Sequence, residues 1–211
     1  TRRSSDLQLE EGIECVMAGP ERRSRLISDR EKKIIAYHEV GHAIVAKVLP
    51  DSDPVHKISI IPRGHAALGY TLQLPEEDRF LRSRSDLLNR ISILLSGRVA
   101  EEIVFGDVTS GAANDLERST QTARQMVTEL GMSERLGLVK LGNKHEEIFL
   151  GRDISEERNY SEEIAYAIDQ EVKAIVDSCY DKARAILEEH RELMDRIAGI
   201  LLPAGERKSV V

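Results

Sequence analysis

The strongest constraint on the fold of this chain is an apolar stripe of helical period that begins just after residue 161. Its apolar side chains recur every three or four positions, which places them on one face of an α-helix. The stripe consists of Ile164, Ile168, Val172, Ile175, Val176, Cys179, Ala183, Ile186 and Leu187. We predict one long helix over residues 161–189 and a second helical segment that continues to Pro203.

Three further helices are predicted upstream of this stripe. Ser28 and Glu31 form a capping-box pattern, and apolar positions of helical spacing follow them, so we predict a helix over residues 29–49. Similar spacing predicts helices over residues 83–106 and 113–130, each with a glycine near its C-terminal end. The expected fold class is therefore mainly α.

Short strands are predicted between the first two of these helices. Residues 57–61 form one segment, and in residues 68–74 apolar side chains alternate with polar ones or glycine, which is typical of a strand with one buried face. A loop that contains proline and glycine joins the two segments, so a β-hairpin is expected. Weaker patterns over residues 137–141 and 148–150 predict two more short strands.

Composition and charge exclude several classes of protein. Hydrophobic residues make up 41% of the 211, which is enough for the core of one ordinary domain. The net charge of −7 disfavours nonspecific binding to nucleic acid, which needs a basic surface. No apolar run approaches the roughly 18 residues of a membrane span, and two cysteines are too few for a disulfide scaffold. We therefore expect this segment itself to be soluble and to belong to a reducing compartment.

One motif within the first predicted helix carries chemistry. The segment His38-Glu39-Val40-Gly41-His42 fits the pattern H-E-x-x-H. Residues four apart lie on one face of a helix, so both imidazoles can bind one metal ion, and two imidazoles suit Zn2+. Glu39 borders the same face, where it is placed to take a proton from a zinc-activated water. Random placement of the 6 histidines and the glutamates would give this pattern only about 0.02 times, so chance is a poor explanation.

A catalytic zinc site needs a third protein ligand, and the spacing alone does not choose it. The acidic candidates near predicted helix ends are Glu101, Glu102, Asp107 and Asp115. An acidic residue in the first turn of a helix is also favoured by the helix dipole, so Asp115 has an ordinary structural explanation as well. All four residues stay candidates on this reasoning.

Five segments, in this order along the chain, carry a family resemblance. They are His38-Glu-Val-Gly-His42, Pro62-Arg-Gly64, Leu68-Gly-Tyr-Thr-Leu-Gln-Leu-Pro-Glu-Glu-Asp78, Ser96-Gly-Arg-Val-Ala-Glu-Glu102 and Thr109-Ser-Gly-Ala-Ala-Asn-Asp115. Together they resemble the FtsH family of ATP-dependent zinc metalloproteases. The resemblance runs from about Ala18 to Leu202 and is far more specific than H-E-x-x-H alone.

The resemblance implies a fold and a set of site residues. The fold is a mainly α zinc-peptidase domain with a small β-hairpin or short sheet near the metal and a long C-terminal helix. One Zn2+ per chain would be held by His38, His42 and Asp115, with Glu39 as the general base. Glu101 would then orient a ligand instead of binding the metal itself.

The predicted strand at residues 68–74 offers a way to hold a substrate. A protease that cuts unfolded chains of many sequences can bind them through backbone hydrogen bonds, by adding the substrate as a strand to an exposed sheet edge. We assign this role to Leu68, Gly69, Tyr70 and Thr71. The alternative is that the strand simply packs its leucines in the core, which would occupy one of its faces.

Members of the FtsH family also carry a transmembrane anchor and an AAA+ ATPase module that forms a hexameric ring. The 211 residues contain no G-x-x-x-x-G-K-[ST] phosphate loop, so ATP would be used by the missing ATPase module and not bound by this chain. The resemblance places the full-length protein on the cytoplasmic face of the inner membrane, with membrane contact only through missing N-terminal segments. It divides the chain into the end of the ATPase module at residues 1–19, the peptidase domain at 20–202 and a flexible tail at 203–211.

We therefore expect a zinc endopeptidase domain of an ATP-dependent protease that degrades unfolded or misassembled polypeptides. The chain is expected to form a homo-oligomer, a hexamer, and to bind no nucleic acid. Two alternatives stay open. One is an oligomerisation module whose metal is structural and held by four protein ligands. The other is a metal-dependent amidase that acts on small substrates.

Overall fold

The computed structural model describes residues 12, 15, 16, 27–61, 69–74, 81–142 and 160–203. Five α-helices and a two-stranded antiparallel sheet have described bounds within these ranges. In chain order the elements are α1 (Asp29–Val48), β1 (Val55–Ser59), β2 (Tyr70–Gln73), α2 (Arg84–Phe105), a 3-10 turn (Ser110–Ala112), α3 (Ala113–Thr128), α4 (Glu162–Glu189) and α5 (Arg191–Leu201). The predicted mainly α fold with a short sheet is confirmed.

Side-chain caps mark the starts of α1 and α2. At the start of α1, the Ser28 hydroxyl accepts a hydrogen bond from the Glu31 amide, and the Glu31 carboxylate accepts one from the Ser28 amide. Ser83 and Asp86 form the same capping box at the start of α2. Such caps contribute about 1 kcal/mol each, so the predicted helix starts rested on a real local preference.

Two clusters of buried apolar residues form the core, and α4 contributes to both. Its first half packs Ile168 and Val172 against α2 and α3, in a cluster that also holds the buried thiol of Cys179. Its second half packs Ala183 and Leu187 against α1, α2 and α5. The predicted stripe therefore holds α1, α2 and α3 in place relative to one another.

The small sheet lies beside α1. Strand β1 pairs with β2 in antiparallel register, with Ile58 opposite Thr71. Ile58 and Leu72 are both buried. Strand β1 has the predicted length of five residues but begins and ends two residues earlier than predicted, and β2 is shorter than predicted. Leu68 and the loop that joins the predicted strands lie outside the described residues.

The strand predicted over residues 137–141 is wrong. This segment is irregular, and Gly137 at its start and Gly142 just after it adopt positive φ angles of 74° and 83°, which interrupt an extended backbone. The Leu138 side chain is 95% exposed, so no core drives a strand here. The strand predicted over residues 148–150 lies outside the described residues. Within the described ranges, no helix combines the length and apolarity needed to cross a membrane.

Candidate metal centre

Helices α1 and α3 bring three potential metal ligands together. The Nε2 atoms of His38 and His42 lie 3.0 Å apart on α1. The Oδ2 atom of Asp115, in the first turn of α3, lies 3.3 Å from the first and 3.4 Å from the second. Among the residues that the structure describes, this is the single group of three or more histidine, cysteine or acidic side chains that is close enough to hold a metal ion.

The other nitrogen of each imidazole fixes which way the ring presents its lone pair. The Nδ1 atom of His42 lies 2.7 Å from the carbonyl oxygen of Ile93. A carbonyl can only accept, so Nδ1 carries the hydrogen, and in the neutral ring Nε2 keeps its lone pair. The Nδ1 atom of His38 lies 2.7 Å from the Glu101 carboxylate, which selects the same arrangement. Both lone pairs therefore point into the cluster.

The donor set fits a zinc ion. When both rings are neutral, the two imidazole lone pairs and the carboxylate oxygen converge with no donor hydrogen between them, so a cation satisfies all three. In a tetrahedral zinc site with bonds of about 2.0–2.1 Å, two ligand atoms are about 3.3 Å apart. The observed separations of 3.0–3.4 Å are close to this value. Three protein ligands also leave a fourth position for water, as in catalytic zinc sites.

The pKa shifts of His38 and Asp115 also indicate that this cluster favours a positive charge. Burial works against a charged imidazole, but hydrogen bonds to Asp115 and Glu101 outweigh it and raise the pKa of His38 to about 10. Burial alone would raise the pKa of Asp115, yet its hydrogen bonds to the two histidines lower it. Without a metal, a proton on His38 therefore neutralises the carboxylate.

Gly97 of α2 makes room for the histidine pair. A Cβ atom built on Gly97 would lie 2.6 Å from the Nε2 atoms of both His38 and His42, which no real contact tolerates. The sequence reasoning did not identify this residue. A glycine within a helix is disfavoured by about 1 kcal/mol relative to alanine, and that signal could have pointed to a close approach.

Glu101 lies behind the cluster and connects His38 to the backbone at Thr109. It is 1% exposed, and its second oxygen accepts a hydrogen bond of 2.8 Å from the Thr109 amide, just before the 3-10 turn that leads to Asp115. Burial raises the pKa of a carboxyl, but the hydrogen bonds from His38 and Thr109 outweigh it and lower the pKa of Glu101. Glu101 therefore stays an anion. One of its oxygens holds the ring of His38, and the other holds the backbone at Thr109, just before the 3-10 turn that precedes α3.

The other two acidic candidates have partners elsewhere. Glu102 accepts a hydrogen bond of 2.6 Å from the Tyr180 hydroxyl and forms a 3.0 Å ion pair with Arg184. The carboxylate of Asp107 accepts a hydrogen bond of 2.8 Å from the Val108 amide. Neither belongs to the group of converging ligand atoms. The packing of α2 against α3 therefore brings Asp115 to the histidine pair, and neither Glu102 nor Asp107.

Glu39 lies beside the cluster in a protected position. Its side chain is 7% exposed, and burial raises the pKa of its carboxyl. The Thr71 hydroxyl of β2 lies 2.9 Å from its Oε2 atom. A carboxyl of raised pKa is suited to accept a proton and later release it.

An open cleft of about 1090 Å³ contains the cluster and extends well beyond it. Of the four residues assigned to substrate binding, Gly69, Tyr70 and Thr71 line this cleft, and Leu68 lies outside the described residues. Strand β2 therefore runs along the wall of the cleft next to Glu39. Within the described ranges, β2 pairs with β1 alone, on one of its two edges.

The open cleft holds a histidine pair on one helix, a carboxylate from a second helix and a buried glutamate. This arrangement is typical of a helical metallopeptidase. Comparison with known proteins agrees with this class. The model of peptidase family M41 matches residues 25–206. The chain belongs to peptidase family M41.

Named relatives support the same assignment. The chain is 60% identical over 193 residues to the ATP-dependent zinc metalloprotease FtsH of Thermotoga maritima, an alignment that covers 92% of this chain and 32% of that protein. It is 56% identical to FtsH of Pseudothermotoga lettingae, over 92% of this chain and 31% of the relative. For FtsH of Rubrobacter xylanophilus the identity is 53%, over 92% and 30%. The predicted resemblance is confirmed, and the chain spans about a third of the length of these relatives.

Proposed function

We propose that this chain is a zinc-dependent endopeptidase unit in which His38, His42 and Asp115 hold the metal. The observation that carries the proposal is the convergence of the two Nε2 lone pairs and the Asp115 carboxylate within 3.0–3.4 Å. The anchoring of each Nδ1 atom supports it, because partners of this kind orient metal-binding histidines. Membership of peptidase family M41 and the zinc metalloprotease names of the relatives agree with it.

Each residue of the cluster then has a defined role in peptide hydrolysis. Zinc, when bound there, polarises the substrate carbonyl and lowers the pKa of a water to about 7. Glu39 accepts a proton from the attacking water and passes it to the nitrogen of the leaving amine. The buried position of Glu39 keeps bulk water from competing for that proton. Glu101 holds the ring of His38 in place throughout.

The substrate is proposed to be an unfolded polypeptide that lies along β2. The cleft continues along Gly69, Tyr70 and Thr71, and its volume of about 1090 Å³ exceeds what a small ligand fills. An extended chain could add to the sheet through backbone hydrogen bonds, without a requirement for one sequence. The cleft therefore favours a polypeptide over the small amide substrate of an amidase.

An oligomerisation module with a structural metal is less well supported. Structural zinc is normally enclosed by four protein ligands, whereas the described residues bring three together in an open cleft.

We propose instead that the unit works within a homo-hexameric, ATP-dependent protease at the cytoplasmic face of the inner membrane. Sedimentation of the full-length protein, with and without ATP, would test the hexamer. The limits of 20–202 for the peptidase unit stay a prediction, with which the family match over residues 25–206 is compatible.

The replacement of Glu39 by glutamine tests the proposed function. Glu39→Gln keeps the size of the side chain but removes the base, so we expect one zinc per chain and at least about a hundredfold loss of casein cleavage. Glu117→Gln is the matched control, because Glu117 is an exposed residue of α3 outside the cleft. A Glu39→Gln chain that cleaves as fast as this control would contradict the proposed role.

A further inference from the structure

Two residues at the start of β2 contact the Glu39 side chain, Gly69 just before the strand and Thr71 within it. The Thr71 Oγ1 atom lies 2.9 Å from Glu39 Oε2 and 3.0 Å from the Glu39 backbone oxygen. Gly69 lies close to the other carboxylate oxygen, where a Cβ atom would be 2.9 Å from both Cγ and Oε1 of Glu39. Together they enclose the carboxylate.

The contact from Thr71 is a donated hydrogen bond. The Glu39 carboxylate and the Glu39 backbone oxygen both accept, so the single hydroxyl hydrogen of Thr71 is shared between them. The carboxylate is the stronger acceptor, because a charged acceptor makes such a bond about twice as strong as a neutral one. Among the described residues, Thr71 is the single side-chain donor to this buried carboxylate. Without it, the Glu39 oxygens would lose a partner that bulk water cannot readily replace.

The hydrogen bond also restricts how Glu39 can move. A free glutamate side chain has several rotamers, and fixing them costs up to about 2 kcal/mol of conformational entropy. The Thr71 hydroxyl on one side and the close approach of Gly69 on the other leave the carboxylate little freedom. A general base must lie within hydrogen-bonding reach of the proton it removes, so a fixed orientation favours proton transfer.

We propose that Thr71 is a positioning residue for the general base, so that the strand lining the cleft also orients Glu39. The proposal rests on the proposed function, since it assumes that Glu39 is the base. It assigns Thr71 a role through its side chain, distinct from the backbone contacts predicted for substrate binding. The hydroxyl, and not the backbone of residue 71, is then the group that matters for the rate.

Two replacements of Thr71 separate the hydroxyl from the shape of the side chain. Thr71→Val keeps the branched shape and removes the hydroxyl, so we expect kcat for a fluorogenic peptide to fall about 10- to 100-fold, with KM and zinc affinity unchanged. Thr71→Ser keeps the hydroxyl and should recover most of the lost kcat. Thr122→Val is the control, because the Thr122 hydroxyl bonds to a backbone carbonyl on the exposed face of α3.

Three outcomes would overturn the proposal. They are an unchanged kcat in Thr71→Val, an equal loss in Thr71→Val and Thr71→Ser, and an effect confined to KM, which would assign Thr71 to substrate binding. Glu39→Gln, measured alongside, distinguishes a failure of the proposed function from a failure of the role proposed for Thr71. If Glu39→Gln cleaves normally, the proposed function fails, whereas a loss there with a normal Thr71→Val overturns the role of Thr71 alone.

A measurement that needs no cleavage tests the hydrogen bond itself. Thr71→Val should lower the thermal midpoint of the zinc-loaded chain by a few degrees, as expected for the loss of one charge-assisted hydrogen bond. In a Glu39→Met background, which removes the carboxylate, the same replacement should have a clearly smaller effect. Equal shifts in both backgrounds would show that Thr71 does not act through the Glu39 carboxylate, and would overturn the proposal.

Discussion

At the scale of single residues, the proposed metal site is determined by what surrounds each ligand. The Ile93 carbonyl and the Glu101 carboxylate each engage one Nδ1 atom, so the Nε2 atoms face each other near Asp115. Gly97 allows both rings to lie against α2. The H-E-x-x-H motif therefore depends on residues from α2 that the motif itself does not contain.

Gly97→Ala should weaken zinc binding. The new methyl group would lie about where the His38 and His42 Nε2 atoms need space, so both rings must move away from the position that Asp115 completes. We expect zinc affinity to fall at least about tenfold, measured by competition with a chelator.

Gly199→Ala is the control for this replacement. A Cβ atom on Gly199 meets nothing within 4 Å, and Gly199 lies on the exposed face of α5. Its replacement should leave zinc affinity unchanged and stabilise the helix by up to about 1 kcal/mol. Equal zinc affinities in the two variants would show that Gly97 does not limit the position of the histidines.

Zinc affinity should rise with pH. Burial opposes a charged ring, but hydrogen bonds to Asp115 and Glu101 raise the pKa of His38 to about 10, so the metal-free chain carries a proton there that zinc must displace. One proton released per zinc corresponds to a dissociation constant that falls about tenfold for each unit of pH between 7 and 9. Chelator competition at both pH values checks this, and equal affinities would contradict it.

At the scale of secondary structure, helices were predictable because their signals are local. The capping boxes at Ser28 and Ser83 and the stripe of α4 fixed helix starts and faces to within a few residues. Strand limits were less predictable, because pairing with a distant segment decides where a strand begins and ends. For the segment 137–141, the apolar residues predict a strand. Positive φ angles at Gly137 and Gly142 interrupt the extended backbone that a strand needs.

The same distinction applies to the candidate site. His38, Glu39 and His42 were predictable because one helix holds all three. Asp115 could not be chosen from spacing, since its place depends on how α3 packs against α2 and so brings its first turn to the histidines of α1. The contact of Thr71 with Glu39 was also missed, because it joins residues 32 positions apart. The strand pattern around Thr71 predicts substrate binding and gives no sign of this contact.

Leu187→Ala should destabilise the whole fold. Leu187 is fully buried where α4 meets α1, α2 and α5, so truncation leaves a cavity and should lower the free energy of unfolding by about 2–5 kcal/mol. Leu193→Ala, at a position 42% exposed on α5, is the control and should cost less than about 1 kcal/mol. Urea unfolding measures both, and similar losses would contradict the proposed role of α4 in the core.

At the scale of the whole molecule, the proposed metal site depends on the packing of the long helix α4. Helix α4 packs against α2 along most of its length, and α2 carries Gly97 and Glu101 toward the histidine pair of α1. The apolar stripe that constrains the fold therefore also fixes the distance between α1 and α3, where the three ligands meet. The proposed catalytic arrangement is therefore a consequence of helix packing and not of the motif alone.

Anomalous diffraction at the zinc absorption edge, from crystals of this chain grown with zinc, tests the proposed metal site without relying on activity. We predict one zinc per chain, within about 2.0–2.2 Å of His38 Nε2, His42 Nε2 and one Asp115 carboxylate oxygen. Glu101 should remain hydrogen-bonded to His38 Nδ1. A zinc bound directly by Glu101 in place of Asp115, or no zinc at the histidine pair, would show that the proposed ligand set is wrong.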